Sequence, residues 1–294
     1  MDARHERARA DARPDPRGGD GHDDPVDAYL GRLARLDAHL AELERVAVAY
    51  SGGVDSSVLL HAAHRVLGER AAGVIADSPS LPRRELTEAV VLARSIGARL
   101  EVIGTREMDD ERYRANAGDR CYFCKSALFS AMEPWAREQG FRALAFGEIV
   151  DDWSDVRPGA RAAAEFGVVA PLSAAGFTKD DVRRYARDHG LPVAEKPSSA
   201  CLASRLPVGT KVTPERLARI ERSEETLRRA GYVVLRVRDH GTTARVEVGA
   251  DEWSRAQAER DALAASLASE GFERVELAVY RSPAQRAADA IERA

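Results

Sequence analysis

Two stretches of this 294-residue chain concentrate side chains suited to chemistry. The first is Ser51-Gly52-Gly53-Val54-Asp55-Ser56-Ser57, set between the apolar run Val46 to Tyr50 and the apolar-periodic Val58 to Leu67. That order reads as strand, tight turn and helix. A turn at the carboxyl end of a parallel strand binds phosphate well, because the first N–H groups of the helix point out of it. Gly52 and Gly53 let the backbone approach an anion, and Ser51, Ser56 and Ser57 add hydroxyl donors. Asp55 would repel phosphate by itself, so a divalent cation between them is the natural reading. Neither Gly-x-x-x-x-Gly-Lys-Ser/Thr nor Gly-x-Gly-x-x-Gly follows a strand, which argues against Walker-type hydrolases and Rossmann dehydrogenases. The bland alternative is a glycine-rich turn without a ligand.

The second stretch is split. Cys121 and Cys124 stand in Asp119-Arg-Cys-Tyr-Phe-Cys-Lys125, and Cys201 in Lys196-Pro-Ser-Ser-Ala-Cys-Leu-Ala-Ser-Arg205. Three cysteines in a chain this long are no disulfide framework. Arg120, Lys125 and Arg205 are expected to lower the thiol pKa values and favour thiolate. Three thiolates suit a zinc site with one open position, or a [4Fe–4S] cluster with one iron left for an exogenous ligand. A Cys-x-x-Cys redox pair and small buried hydrophobes remain the other readings.

Further polar residues fall at the ends of expected strands. Asp77 is placed to accept a hydrogen bond from ribose or adenine, or to cap a turn. Glu148, Asp151 and Asp152 form an acidic loop for metal or substrate, or simply for solvent. Ser204 with Arg205, and Arg236 with Arg238, could make an anion pocket, since alternate strand residues share a face; a surface charge face is the alternative. Lys179, beside a helix start, reaches ATP phosphates or is solvated. His61 and His64 read as solvated, and Trp153 as a packed loop aromatic or a stacking surface for a base.

These residues need a scaffold, and the apolar pattern supplies one. Residues 1–25 contain only Ala and Met1 as apolar residues and read as a disordered tail. Leu30, Leu33, Leu36, Leu40 and Leu43 mark an amphipathic helix from Asp27. Strands at Gly73 to Ala76, Arg99 to Ile103 and Ala143 to Phe146 alternate with helices at Arg83 to Ile96 and Lys125 to Gln139, and Thr178 caps a helix through His189. This predicts a doubly wound parallel α/β sheet over residues 26–206. Beyond Leu206-Pro the order becomes helix (Pro214 to Ala230), strands (Val233 to Val237, Ala244 to Val248), helix (Asp251 to Ser269) and strand (Val275 to Val279), a small α+β domain over 207–294 used for substrate binding or oligomerisation. A 44 % hydrophobic content suffices for an ordinary core, and 44 Lys+Arg against 48 Asp+Glu leave −4, with no basic field for nucleic acid or membrane. No apolar run approaches the roughly 20 residues of a membrane span, and the N-terminus lacks a signal-peptide core, so a cytoplasmic address is expected.

Ser-Gly-Gly-x-Asp-Ser after a strand resembles the PP-loop of the ATP pyrophosphatases, a group of adenine nucleotide alpha hydrolase-like fold that adenylates a substrate oxygen and releases pyrophosphate. More specifically, Ala49-Tyr-Ser-Gly-Gly-Val-Asp-Ser56, Asp119 to Lys125, Gly147-Glu-Ile-Val-Asp-Asp152 with Arg157-Pro-Gly159, Lys196 to Arg205, and Leu235-Arg-Val-Arg-Asp-His240 resemble the LarE family. These are ATP-dependent sulfur transferases of nickel-pincer cofactor biosynthesis for lactate racemase. The resemblance implies that Ala49, Ser51, Gly52, Gly53, Asp55, Ser56, Ser57, Asp77 and Glu148 hold ATP, with Mg2+ on Asp55. It implies that Ser204, Arg205, Arg236 and Arg238 hold the phosphate of a pyridinium-3,5-biscarboxylate mononucleotide. Some members sacrifice a cysteine sulfur; others hold a [4Fe–4S] cluster on three cysteines and pass on a bound sulfide supplied by a donor. With Cys121, Cys124 and Cys201 present, this chain is similar to the second kind. Homo-oligomers, trimers among them, are implied too. A tRNA-thiolating PP-loop enzyme is the main rival, opposed by the net charge and the lack of a basic stripe. An ammonia-using synthetase would give the cysteines no role, and a metal-binding module would leave the phosphate loop unexplained.

Overall fold

A computed structural model describes residues 25–154, 158–197, 200–281 and 285. Residues 1–24 of the tail expected over 1–25, Arg157, and Ser198 and Ser199 of the Cys201 segment lie outside the described residues, while Pro25 already belongs to the first helix.

The chain opens with α1 (Pro25–Glu42), β1 (Val46–Ala49), α2 (Val54–Leu67), β2 (Ala71–Asp77), α3 (Arg83–Ile96) and β3 (Arg99–Gly104). There follow α4 (Glu111–Ala115), α5 (Arg120–Glu138), β4 (Ala143–Phe146), α6 (Pro158–Glu165), α7 (Pro171–Ala174) and α8 (Lys179–Asp188). The strands form one parallel sheet in the order β3-β2-β1-β4. This is the doubly wound arrangement that the alternating pattern predicts. Along β1, Val46 and Val48 enter the core beneath α1, α2, α3 and α8, while Ala47 and Ala49 face the core of α5 and α6. Small alanines on that second face let Phe129 and Met132 of α5 pack directly on the sheet.

Local signals account for most boundaries. The Thr178 hydroxyl accepts a hydrogen bond from the Asp181 N–H and the Asp181 carboxylate accepts one from the Thr178 N–H, a capping box that starts α8. Gly97, left-handed at φ 80°, ends α3. In α1, Leu36 and Leu40 are fully buried, but Leu30 is exposed and Tyr29 takes its place in the core.

The remainder is α9 (Pro214–Arg229), β5 (Leu235–His240), β6 (Thr243–Val248), α10 (Trp253–Ala258), α11 (Arg260–Ala268) and β7 (Arg274–Val279). Its separate sheet runs β5-β6-β7, with β5 antiparallel and β7 parallel to β6. Three expectations are corrected. The strand expected from Val233 starts at Leu235, leaving Val233 82 % exposed. The helix expected over Asp251 to Ser269 breaks at Glu259. The helix expected from Lys125 starts at Arg120, which puts Cys121 in its first turn and Cys124 at the start of its second. A third core, of Tyr113, Leu202, Ala203, Leu206, Val212, Leu217 and Ile220, crosses residue 206, where a domain boundary is expected. No helix among the described residues is long and apolar enough to cross a membrane.

Candidate active site

The phosphate loop lies at the carboxyl end of β1, where the sheet order reverses: β2 flanks β1 on one side and β4 on the other. A parallel sheet opens a crevice at such a point. Gly52 is left-handed at φ 70°, and a Cβ there would sit 2.7 Å from the Ala89 Cβ of α3. A Cβ on Gly147, just past β4, would sit 2.8 Å from the Ser56 amide nitrogen. Loop, α2 and β4 are therefore packed backbone to backbone, and the cradle needs both glycines. Ser51 and Ser56 share a hydrogen bond of 3.1 Å between their hydroxyls, and the Ser56 hydroxyl donates to the Gly53 carbonyl at 3.1 Å. Ser57 does not meet the expectation of a loop donor: it is fully buried, its hydroxyl beside Tyr50. Ala49 is buried at the end of β1.

Asp55 holds a lysine. Lys179 Nζ lies 2.7 and 2.8 Å from its two carboxylate oxygens. On the far side of the loop Lys196 Nζ donates to the Gly52 carbonyl at 3.4 Å and pairs with Glu85 at 2.6 Å and Glu88 at 3.3 Å. Asp77 ends β2 and pairs with Arg83, so its carboxylate is partly engaged at the mouth. Asp151 accepts from the Lys179 N–H at 2.9 Å and Asp152 from the Ile149 N–H at 3.3 Å, while Glu148 is half-buried beside them. Trp153 stays exposed rather than packed, tethered by its indole N–H, which donates to the Ser173 hydroxyl at 2.8 Å. His61 and His64 are half-buried rather than solvated, and His61 Nδ1 lies 2.9 Å from the Tyr185 hydroxyl.

Two of the three cysteines share a core. Cys124 and Cys201 both pack on the core around Tyr113, and the Cys124 thiol feels the charges of Cys201 and Cys121. Cys121 is exposed. The expected thiolate is corrected at Cys124: burial pushes its thiol up to about 12, reinforced by Cys201 and Glu107 and only partly opposed by Lys125. Arg120 is held away by Asn116 and the Ala203 carbonyl, at 2.6 and 2.9 Å. Crowding by protein atoms pulls the Lys125 ammonium below its usual value. Among the described residues no group of three or more His, Cys, Asp or Glu side chains is arranged to hold a metal ion.

Ser204, Arg205, Arg236 and Arg238 do come together, but not as a bare anion pocket. Arg205 is 2 % exposed and bound to Glu224, with Nε to Oε1 at 2.9 Å. Arg238 pairs with Glu247 at 2.6 Å and donates to the Ser204 carbonyl at 3.1 Å. Arg236 shares its face of β5 and lies over the Tyr280 ring; burial and the Arg205 charge pull its guanidinium down. Arg205 thus serves as scaffold, and Arg236 and Arg238 lie side by side on one face of β5.

No family model matches the chain. Over 217 residues it is 42 % identical to an uncharacterized protein of Synechocystis sp., covering 74 % of this chain and 81 % of the relative. Over 218 residues it is 35 % identical to the pyridinium-3,5-bisthiocarboxylic acid mononucleotide synthase of Lactiplantibacillus plantarum, covering 74 % of this chain and 79 % of that enzyme. The chain belongs to the LarE family. An argininosuccinate synthase of Natronomonas pharaonis is 26 % identical over 165 residues, covering 52 % of this chain and 41 % of that enzyme.

In this LarE-family chain the residue that sequence reasoning passed over is Lys196. It opens the Cys201 segment, yet a lone lysine before a proline carries no signal of contact with a loop 144 positions away. Leu202 N–H, at the other end of that segment, donates to the Ser80 carbonyl at 2.9 Å, just beyond β2. One stretch therefore touches the phosphate loop at Lys196 and carries Cys201 five residues on, a span of at most about 17 Å.

Proposed function

We propose that this LarE-family chain is an ATP-dependent sulfurtransferase that adenylates a carboxylate of pyridinium-3,5-biscarboxylic acid mononucleotide and converts it to the thiocarboxylate, within nickel-pincer cofactor biosynthesis for lactate racemase. The observation that carries this reading is the single segment from Lys196 to Arg205, which joins the phosphate loop to the cysteines. A carboxylate activated at the loop and a sulfur held by the cysteines then lie within one short span.

The loop fits ATP, because Gly52 and Gly147 leave a cradle that a Cβ would fill. Ser51, Gly52, Gly53 and Ser56 would hold the phosphates, Asp55 the Mg2+, and Asp77 and Glu148 the nucleoside side of the mouth. The substrate carboxylate oxygen attacks the α-phosphorus, and pyrophosphate leaves toward backbone N–H groups and lysine ammonium groups that stabilise its charge. Sulfide then attacks the acyl carbon, a C–S bond forms as the acyl C–O bond to AMP breaks, and AMP leaves with that oxygen, so that sulfide-level sulfur gives the thiocarboxylate with no change of oxidation state. Arg236 and Arg238 would orient the mononucleotide phosphate, braced by Arg205 and Ser204.

Cys121, Cys124 and Cys201 offer the donor set of a [4Fe–4S] cluster, three thiols of which Cys121 is open to solvent. Bound there, the cluster would supply a transferable sulfide. The protein purified without oxygen is expected to hold roughly four iron and four acid-labile sulfide per chain, lost in Cys201→Ala, and to turn over repeatedly. Dehydroalanine at position 201 after one turnover would replace this reading with a sacrificial cysteine. AMP release stimulated by tRNA and not by the pyridinium nucleotide would replace the substrate.

A further inference from the structure

The pairing of Lys179 with Asp55 is unlike an ordinary surface ion pair. Both carboxylate oxygens accept from one ammonium, at 2.7 and 2.8 Å, and each side chain is 30 % exposed. The two residues come from the first turns of α2 and α8, which face each other across the mouth of the phosphate loop. The backbone end of Lys179 is fixed: Thr178 and Asp181 cap the helix, Arg32 holds Asp181 at 2.9 Å, and the Lys179 N–H is bound to Asp151. Its four-carbon stem is free to swing about that anchor.

We propose that Lys179 is a placeholder for the divalent cation at Asp55, and that it passes to the phosphates of ATP when the cation arrives. This rests on the ATP and Mg2+ reading above. A bare carboxylate at the mouth of an anion site would repel the incoming triphosphate. Lys179 neutralises it in the empty protein. A divalent cation carries twice the ammonium's charge and displaces it from two oxygens, but the released ammonium then needs an anion, and the nucleotide phosphates are the anion within reach of the same stem. Metal alone therefore binds against the lysine, nucleotide alone meets an occupied Asp55, and the two together bind well. That is a positive coupling between two ligands, reciprocal by linkage.

The test measures Mn2+ binding to nucleotide-free protein by electron paramagnetic resonance, and binding of a Mn2+ complex of an ATP analogue non-cleavable between α- and β-phosphates by calorimetry. In Lys179→Met, Mn2+ alone is expected to bind about tenfold more tightly and the nucleotide complex about tenfold more weakly, since one charge has been removed from opposite sides of the exchange. Asp55→Asn abolishes Mn2+ binding at this site in both backgrounds, and Lys179→Arg, which keeps the charge, stays within a few-fold of wild type. Loss of both affinities in Lys179→Met, or no change in either, overturns the proposal. In unmodified protein Mn2+ and nucleotide must each strengthen the other by the same factor; a factor near one overturns it even where the variant does not fold. Wild type that binds neither ligand removes the ATP reading as well, whereas wild type that binds both without this exchange removes the placeholder alone.

Discussion

Arg205 and Glu224 form an ion pair with both side chains 2 % exposed, joined at 2.9 and 3.3 Å. The free edge of the guanidinium donates to the Cys201 carbonyl and the Ser204 hydroxyl, each at 3.1 Å, and Glu224 accepts from the Val237 N–H at 3.1 Å. One buried pair thus ties the Cys201 turn to α9 and β5. Removing either partner leaves the other charge buried without compensation, so Arg205→Ala or Glu224→Ala is expected to cost about 3–5 kcal/mol in urea unfolding. Replacing both, as Arg205→Met with Glu224→Leu, should regain most of that loss while leaving the Cys201 turn less ordered, which faster alkylation of Cys201 would report.

Gly52→Ala is expected to lose stability and nucleotide binding together. The left-handed backbone and the Ala89 contact at 2.7 Å both oppose a Cβ, a combined cost of roughly 2–3 kcal/mol. Gly147→Ala should separate the two effects, since its backbone is unstrained and its Cβ would push β4 from the start of α2. Thermal melts and calorimetric binding of the ATP analogue check both.

His61 makes stability fall in mild acid. Burial, followed by His189, Arg65 and His64, lowers its pKa from 6.5 to about 4. The folded protein therefore resists a proton that the unfolded chain accepts: this stability is complete above pH 6.5 and lost as pH falls toward 4. His61 keeps some solvent access, so the term is on the order of 1 kcal/mol. His61→Gln should flatten the slope of unfolding free energy across that interval, and an unchanged slope would assign the acid sensitivity elsewhere.

Metal-free protein treated with iodoacetamide should be labelled at Cys121 well before Cys124. Cys121 is exposed, whereas burial holds Cys124 as a thiol. Peptide mass spectrometry at successive times gives the order, and equal rates would show that the start of α5 opens in solution.

Much of the fold was legible because its signals are local. The strand at Ala143–Phe146 and the helix at Arg83–Ile96 emerge with the expected bounds, since apolar periodicity and adjacent glycines act within a few residues. The start of α5 was not: Asp119, a residue type that caps helices, does precede Arg120 but makes no side-chain cap bond, and α5 packs against α4 and α6 from its first residues. Leu30 and Tyr29 exchange places for a similar reason, because Phe177, far along the chain, packs its ring at a tilt against the tyrosine.

The amino-acid order alone determined the phosphate loop, the parallel sheet that presents it, and the three cysteines with their spacing. All of these are written in contiguous residues, where backbone conformation and ligand type follow from residue type. Tertiary structure decided which charges remain available. Lys179 meets Asp55 across 124 positions, and Arg205 meets Glu224 across 19. The cations beside the cysteines, expected to favour thiolates, are outweighed at Cys124 by burial. Pairing and desolvation depend on three-dimensional neighbours and on the dielectric they create, and no local pattern encodes either.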